Sequence, residues 1–389
     1  MGKSKRIVKK RGGGWPAVRY SLKLGRKAGP FNLLKAIRKS NVCKTCAFGM
    51  KGAKNELGEG LQICKKGMQA ITQDLMPGIP IEFWKSHSID HLKTYSGREL
   101  EGLGRLIHPL YRNSEDSHFN TISWDEAFDK IFDQFRKVPS DRTFFYTSGR
   151  SSNEAAFLVQ LYARQFGTNN VNNCSFYCHQ ATGVALGETF GSATATLTLE
   201  DVEKSDLVVL IGANPSSNHP RFMTHLMNLR KRKGHVLVIN PFKELGLEKF
   251  SIPSKIKSLF FGSEISSDYF QVHCGGDMSF LKAVTARIWN DGNGNEEFLR
   301  RYCNNFEEWK EDIEATDIEK LIEQAGLSKD ELEIFCNYLV TAENIIFTWA
   351  MGLTHQVHGV RTIRILSNLS LMLGMVGKPG SGLLIFQYL

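Results

Sequence analysis

The sequence predicts an α/β fold with a parallel sheet, preceded by a small cysteine-bearing domain. Three observations carry this. Continuous apolar runs such as Leu207–Ile211, His235–Ile239 and Ile345–Trp349 alternate with segments of helical periodicity. The loops after those runs are rich in Gly, Asn and Ser. Residues 41–122 instead hold three cysteines, many glycines and turn signals such as Met76-Pro-Gly-Ile-Pro80.

The 389 residues are 42% hydrophobic and 23% charged, enough for two or three globular domains. The net charge of +9 is uneven: the first 40 residues hold thirteen Lys or Arg and no acid, leaving 36 basic against 40 acidic residues beyond. That stretch reads as a solvated, partly disordered basic arm whose later part, from Trp15-Pro16 to Phe31-Asn-Leu-Leu34, packs down. No nucleic-acid motif follows it, so nucleic acid ranks low as a partner. Lys9-Lys-Arg11 precedes glycines rather than an apolar stretch, and no run approaches a membrane span. A cytoplasmic location is expected, where eight cysteines favour metal or redox use over disulfides.

Three domains follow: a basic arm over 1–40, a cysteine domain over 41–122 and an α/β region over 123–389. Ser123 and Glu126 have capping-box spacing, and Ala127, Phe128, Ile131, Phe132 and Phe135 continue as an amphipathic helix. Thr143–Thr147 reads as a buried strand. Ser151 and Glu154 read as a second capping box, opening a helix over Ala155–Phe166. Leu207–Ile211, the loop Gly212–Pro220, a helix over Arg221–Lys233 and His235–Ile239 make a βαβ unit. Further strand-to-loop switches are expected at Phe270–Cys274 and Ile345–Trp349. Ligands of such sheets lie beyond the carboxyl ends of the strands.

Cys43 and Cys46 can reach one metal from a tight turn, with Cys64 arriving after a gap of seventeen residues. Zinc and an iron–sulfur cluster fit this spacing about equally, and His87 and His91 are candidates for a fourth ligand. The dinucleotide fingerprint Gly-x-Gly-x-x-Gly is missing from the strand ends. Asn214, Ser216, Asn218, Asn240 and Asp277 offer neutral and acidic groups for phosphate, ribose or guanine, although turn and cap roles are commoner for each. Cys178-His179 puts a soft thiolate beside a proton acceptor; a buried pair without function is the default for either residue alone. Arg361 and Arg364 share a helix face, where surface ion pairs are the expected use.

Taken in order, Cys43-x-x-Cys46, Cys64-Lys-Lys-Gly67, Ser123-Trp-Asp-Glu-Ala127, Ser152-Asn-Glu-Ala155, Cys178-His179, Gly212-Ala-Asn-Pro215 and Trp349-Ala-Met-Gly352 through Gly377-Lys-Pro-Gly380 resemble the molybdopterin oxidoreductase family, in its formate-dehydrogenase-like catalytic subunits. The resemblance spans about residues 40–385. It implies a small iron–sulfur domain followed by Rossmann-like parallel-sheet domains, and a bis-molybdopterin guanine dinucleotide with molybdenum. It shifts the cysteine site toward a [4Fe–4S] cluster on Cys43, Cys46 and Cys64. Cys178 matches the molybdenum ligand, His179 the proton acceptor and Lys66 the lysine between cluster and pterin. Asn214, Ser216, Asn240, Asp277 and Gly352 fall in cofactor-binding loops. Formate or a similar small anion is the implied substrate.

Two departures stand out. Met50 occupies the place of a further cluster cysteine, and the sequence after Gly377–Gly382 lacks the family's substrate-orienting arginine and the later domains. The expectation is a truncated or split catalytic subunit, inactive alone, with a separate C-terminal half or an electron-acceptor subunit as partner. A non-catalytic electron-transfer or structural subunit of the same fold is the alternative.

Overall fold

Five parallel strands form the central sheet of the protein, seen here in a computed structural model that describes residues 11–39, 43, 52, 54, 57, 60 and 62–386. They are β1 (Leu207–Ile211), β2 (His235–Ile239), β3 (Asp268–Phe270), β4 (Ile345–Trp349) and β5 (Gly382–Ile385), in the spatial order β3-β2-β1-β4-β5. In-register pairing runs from Leu207 opposite His235 and Ile345 to Ile211 opposite Ile239 and Trp349. Because side chains alternate between faces, Leu207, Val209 and Ile211 enter one core and Val208 and Leu210 the other. Both faces are covered, which is why the strands read as unbroken apolar runs.

The helices that position the site are α1 (Trp15–Ala28), α2 (Pro30–Ile37), α3 (Lys65–Asp74), α4 (Trp124–Arg136), α5 (Asn153–Phe166), α6 (Cys174–Phe190), α7 (Phe222–Lys231), α8 (Asp277–Asn290), α9 (Lys329–Thr341) and α10 (Gly359–Met372). α7 covers one face of the sheet through Phe222, Met223, Leu226 and Leu229. α6, α8, α9 and α10 cover the other, around Leu186, Phe280, Phe335 and Leu366. β1 leads through α7 to β2 on one side, while β4 lies on its other side. The order of strands therefore reverses between β1 and β4, and a crevice opens there at the carboxyl ends.

Several sequence expectations need correction. The later part of the basic stretch packs down as expected, with Leu24, Leu33, Ala36 and Ile37 against Met68 and Ile71, but Gly12–Gly13, expected to be solvated, pairs in parallel with Phe250–Ser251. The basic stretch has enough apolar spacing on its inner side to form two helices. The strand expected over Thr143–Thr147 is Phe145–Thr147, paired among the described residues only with Val171–Asn173, and Tyr146 is 53% exposed. A two-stranded sheet covers too little surface to bury both of its faces. α5 starts at Asn153, two residues before the expected Ala155, and Ser152, not Ser151, caps it by accepting from the Ala155 N–H at 3.2 Å. β3 ends at Phe270; the His273 N–H bonds the Ala325 carbonyl at 2.8 Å and leads the chain out of the sheet. Ser123 caps α4 as expected, 3.1 Å from the Glu126 N–H. Arg364 pairs with Glu188 at the surface.

Candidate functional site

The crevice between β1 and β4 is closed at its floor by two glycines. Gly212, at φ 54°, follows β1, and its carbonyl accepts from the Gly352 N–H at 3.0 Å. A Cβ on Gly352 would lie 2.4 Å from the Gly212 oxygen, so only glycine allows the two loops this approach.

Cys178 and His179 stand beside this point. Asn173 caps α6 by accepting from the Phe176 N–H at 3.1 Å, and the helix breaks at His179, where φ is −129° and ψ 21°. Two bonds fasten the break to the end of β4. Thr354 Oγ1 donates to the Cys178 carbonyl at 2.6 Å, and Trp349 Nε1 donates to Thr182 Oγ1 at 2.9 Å. Thr182 Oγ1 is in turn 3.3 Å from His179 Nδ1. Burial holds His179 below its ordinary pKa; the Phe386 carbonyl, accepting from the ring, pulls the other way, and His355 adds to the lowering. His219 stacks on Phe386, with ring centroids 4.7 Å apart. Burial, and then the charge of His179, bring its pKa down to about 4. The site thus holds two imidazoles that are neutral at pH 7. Burial also pushes the Cys178 thiol up, with Cys174 adding to the rise.

One cavity is lined by some of these residues, and a second lies at the loop after β1. The first, of about 740 Å³, is lined by His179, Thr182, Asn153, Gln160, Asn172 and Gln180. The other, of about 410 Å³, is lined by Cys64, Lys66, Gln62, Asn214, Ser216 and Arg221. The second cavity joins the cysteine lobe to the loop after β1. Gln62 Oε1 is buried at its wall without a hydrogen-bond partner among the described residues.

Asn214 and Ser216 line this cavity while also shaping its loop. Asn214 Oδ1 accepts from the Ser217 N–H at 3.2 Å and from Ser216 Oγ at 2.5 Å. Asn240 serves a turn, its Oδ1 accepting from the Phe242 N–H at 3.0 Å. Asp277, the first residue of α8, is 1% exposed. Its Oδ2 accepts from Gln356 Nε2 at 2.8 Å, and its Oδ1 is buried with no hydrogen-bond partner among the described residues. Burial raises the Asp277 pKa, partly offset by the Gln356 bond. Because Gln356 also bonds the Gly352 carbonyl, at 2.6 Å, it ties the β4 loop to α8.

Of the three cysteines expected to hold a cluster, Cys43 and Cys64 face one another across Gly67. A Cβ on Gly67 would touch Cys43 Sγ at 3.3 Å and Cys64 Sγ at 3.5 Å. The Gly67 N–H donates to Cys64 Sγ at 3.2 Å, but burial dominates and raises that thiol. Cys46 and Met50 lie outside the described residues. The His87 and His91 rings lie tilted at 52° with 5.3 Å between centroids, and His87 stacks on Phe83; no metal-binding group of three includes them among the described residues. Arg221, at the start of α7, reaches into this lobe and donates to the Gly52 carbonyl at 2.8 Å and to the Lys54 carbonyl.

The sequence reading missed His219, Arg221, Gln356, Thr182 and Thr354. Only His219 and Arg221, in the loop after a buried strand, carried any local signal. The residues met here fit a pterin nucleotide in the crevice: a glycine-lined floor, neutral imidazoles, and two orphaned polar atoms at Gln62 and Asp277 that a ligand can satisfy. No helix among the described residues is long and apolar enough to cross a membrane.

The molybdopterin oxidoreductase domain model matches residues 105–388. Protein YdeP of Escherichia coli is 36% identical over 338 residues, covering 82% of this chain and 44% of that protein. An uncharacterized oxidoreductase of Mycobacterium tuberculosis is 33% identical over 390 residues, covering 96% and 50%. A Staphylococcus haemolyticus protein named as a candidate formate dehydrogenase is 30% identical over 283 residues, covering 72% and 27%. Among solved structures, acetylene hydratase from Pelobacter acetylenicus shares the fold, with a TM-score of 0.59 at 19% identity over 72% of this chain and 37% of that one. The chain spans about half the length of the first of these relatives, or less.

Proposed function

The chain belongs to the molybdopterin oxidoreductase family, and from that premise we propose that it forms the cofactor-holding part of a formate-dehydrogenase-like oxidoreductase. The observation that carries the reading is Cys178-His179, fastened at the break of α6 to the end of β4 and the loop after it. When bound, a molybdenum bis-pterin guanine dinucleotide supplies two-electron redox chemistry. Cys178 would bind the metal, its thiol giving up its proton on coordination. Asp277 and Gln356 would hold the guanine end, the carboxylate accepting ring N–H groups. Asn214 and Ser216 would meet phosphate or ribose, and Gly352 leaves the backbone room to approach.

His179 is the proposed proton acceptor. Its lowered pKa leaves the ring neutral at pH 7, free to take a proton, and the Thr182–Trp349 chain fixes its orientation. Cys43, Cys46 and Cys64 are the proposed ligands of an iron–sulfur cluster, with Lys66 between it and the pterin. A small anion such as formate is the proposed substrate.

The test is X-ray absorption at the molybdenum edge, on chain produced in a host that makes the cofactor. The wild type should show one more Mo–S scatterer than Cys178→Ala. An identical sulfur shell in both would remove Cys178 from the metal.

A further inference from the structure

The charge pattern on the cysteine lobe is not used by the site described above. α1 presents Arg19, Lys23, Arg26 and Lys27 to solvent, and no Asp or Glu precedes Glu56. None of these four forms an ion pair among the described residues. Lys27 Nζ donates to the Gly102 carbonyl at 3.1 Å, which draws the helix Gly97–Leu103 toward α1. Between them and α3 lies a groove of about 500 Å³, lined by Lys23, Arg26, Lys27 and Arg98 against a single carboxylate, Glu101. That carboxylate already accepts from Gln73. Thr72, also in the wall, is 2% exposed, and its Oγ1 has no hydrogen-bond partner among the described residues. A concave surface with four cations focuses a positive field and accepts carboxylates.

The groove has a definite relation to the thiols. Thr72 lies eight residues along α3 from Cys64, the N-cap of that helix, or about 12 Å along the helix axis at 1.5 Å per residue. Whatever seats in the groove comes to rest against the helix that begins at Cys64.

We propose that this groove is the docking surface for an acidic electron-carrier protein. The proposal rests on the reading of Cys43, Cys46 and Cys64 as iron–sulfur ligands. The carrier, an oxidised ferredoxin-type protein, gains one electron per docking and the centre at the cysteines loses one; no bond or proton is exchanged. Nucleic acid and anionic lipid also seek positive charge. A short concave groove on the Cys64 helix suits the side chains of a folded acidic partner better than an extended phosphate backbone or a flat bilayer.

The test uses the full chain and an oxidised plant-type [2Fe–2S] ferredoxin of net negative charge, with affinity measured by calorimetry from 20 to 200 mM NaCl. The wild type should bind, losing at least tenfold in affinity over that range. K23E/R26E/R98E should lose at least tenfold at 20 mM, and the neutral K23Q/R26Q/R98Q an intermediate amount. K23R/R26K/R98K should bind as the wild type does. Thermal midpoints and iron content should match across all four. Absence of binding at 20 mM, or affinity unmoved by charge reversal, would overturn the proposal. So would tighter binding of a 20-base-pair DNA duplex, or of phosphatidylserine vesicles, through the same three residues. Iron analysis separates the two readings: wild type without iron sinks the cluster, whereas ferredoxin affinity is read without it.

Discussion

Replacing Asp277 by Asn separates a ligand's requirement from the fold's. The carboxylate is buried at the start of α8, with one oxygen held by Gln356 Nε2 at 2.8 Å and the other unpaired among the described residues. A buried acceptor left unsatisfied costs about 1–3 kcal/mol, and more when charged. Asn has nearly the same shape, its carbonyl oxygen can still accept from Gln356, and it carries no charge into the interior. The cofactor-free chain should therefore gain about 1–2 kcal/mol near pH 8. The sign with pH follows from the raised pKa. The folded state holds the Asp277 proton to higher pH than the unfolded state does. The resulting stability is fully present at low pH and is lost as pH rises through the folded pKa. The advantage of Asp277→Asn should thus be small near pH 4 and grow toward pH 8. Urea unfolding followed by circular dichroism at several pH values measures it. In the same variant, pterin retained on purification should fall at least tenfold, because the amide offers one acceptor where the carboxylate offers two. A variant less stable than the wild type by more than about 1 kcal/mol at pH 8, with no widening of the gap, would refute this account of Asp277.

Two further outcomes follow from the crevice. Gly352→Ala, whose Cβ would meet the Gly212 oxygen at 2.4 Å, should cost about 1–3 kcal/mol in urea unfolding; a change below about 0.5 kcal/mol would show that the loops separate freely. His219, with its pKa lowered to about 4, is stabilising while neutral, and the protein should lose up to about 3 kcal/mol on this account as pH falls from 6.5 to 4. His219→Gln should flatten that part of the stability profile, and an unchanged slope would sink the assignment.

The sheet was legible because parallel strands covered on both faces have to be apolar throughout. Leu207–Ile211, His235–Ile239 and Ile345–Trp349 could be read directly, and the loops after β1 and β4 with them. β5 was missed, since four residues between glycines and a short apolar tail carry no period of their own; it is defined by pairing with β4. Thr143–Phe144 looked like the start of a buried strand because aromatic runs usually are, yet the partner sheet here is too small to cover them. At the site, Cys178-His179 could be picked out by residue type. The arrangement around it could not: Thr182 to Trp349 and Arg221 to Gly52 are contacts between residues 167 and 169 positions apart, which no local pattern encodes. Asn240 shows the opposite limit, where a plausible ligand side chain is satisfied by its own turn.

The central claim is that the β1–β4 crevice holds a molybdenum pterin nucleotide against Cys178. Elemental analysis together with oxidised-pterin fluorescence tests it directly, on chain purified without oxygen from a host that makes the cofactor. The account predicts about one molybdenum and two pterin guanine dinucleotides per folded chain, with both lost together in Gly352→Ala combined with Asp277→Asn. Folded wild-type chain carrying neither molybdenum nor pterin would contradict it.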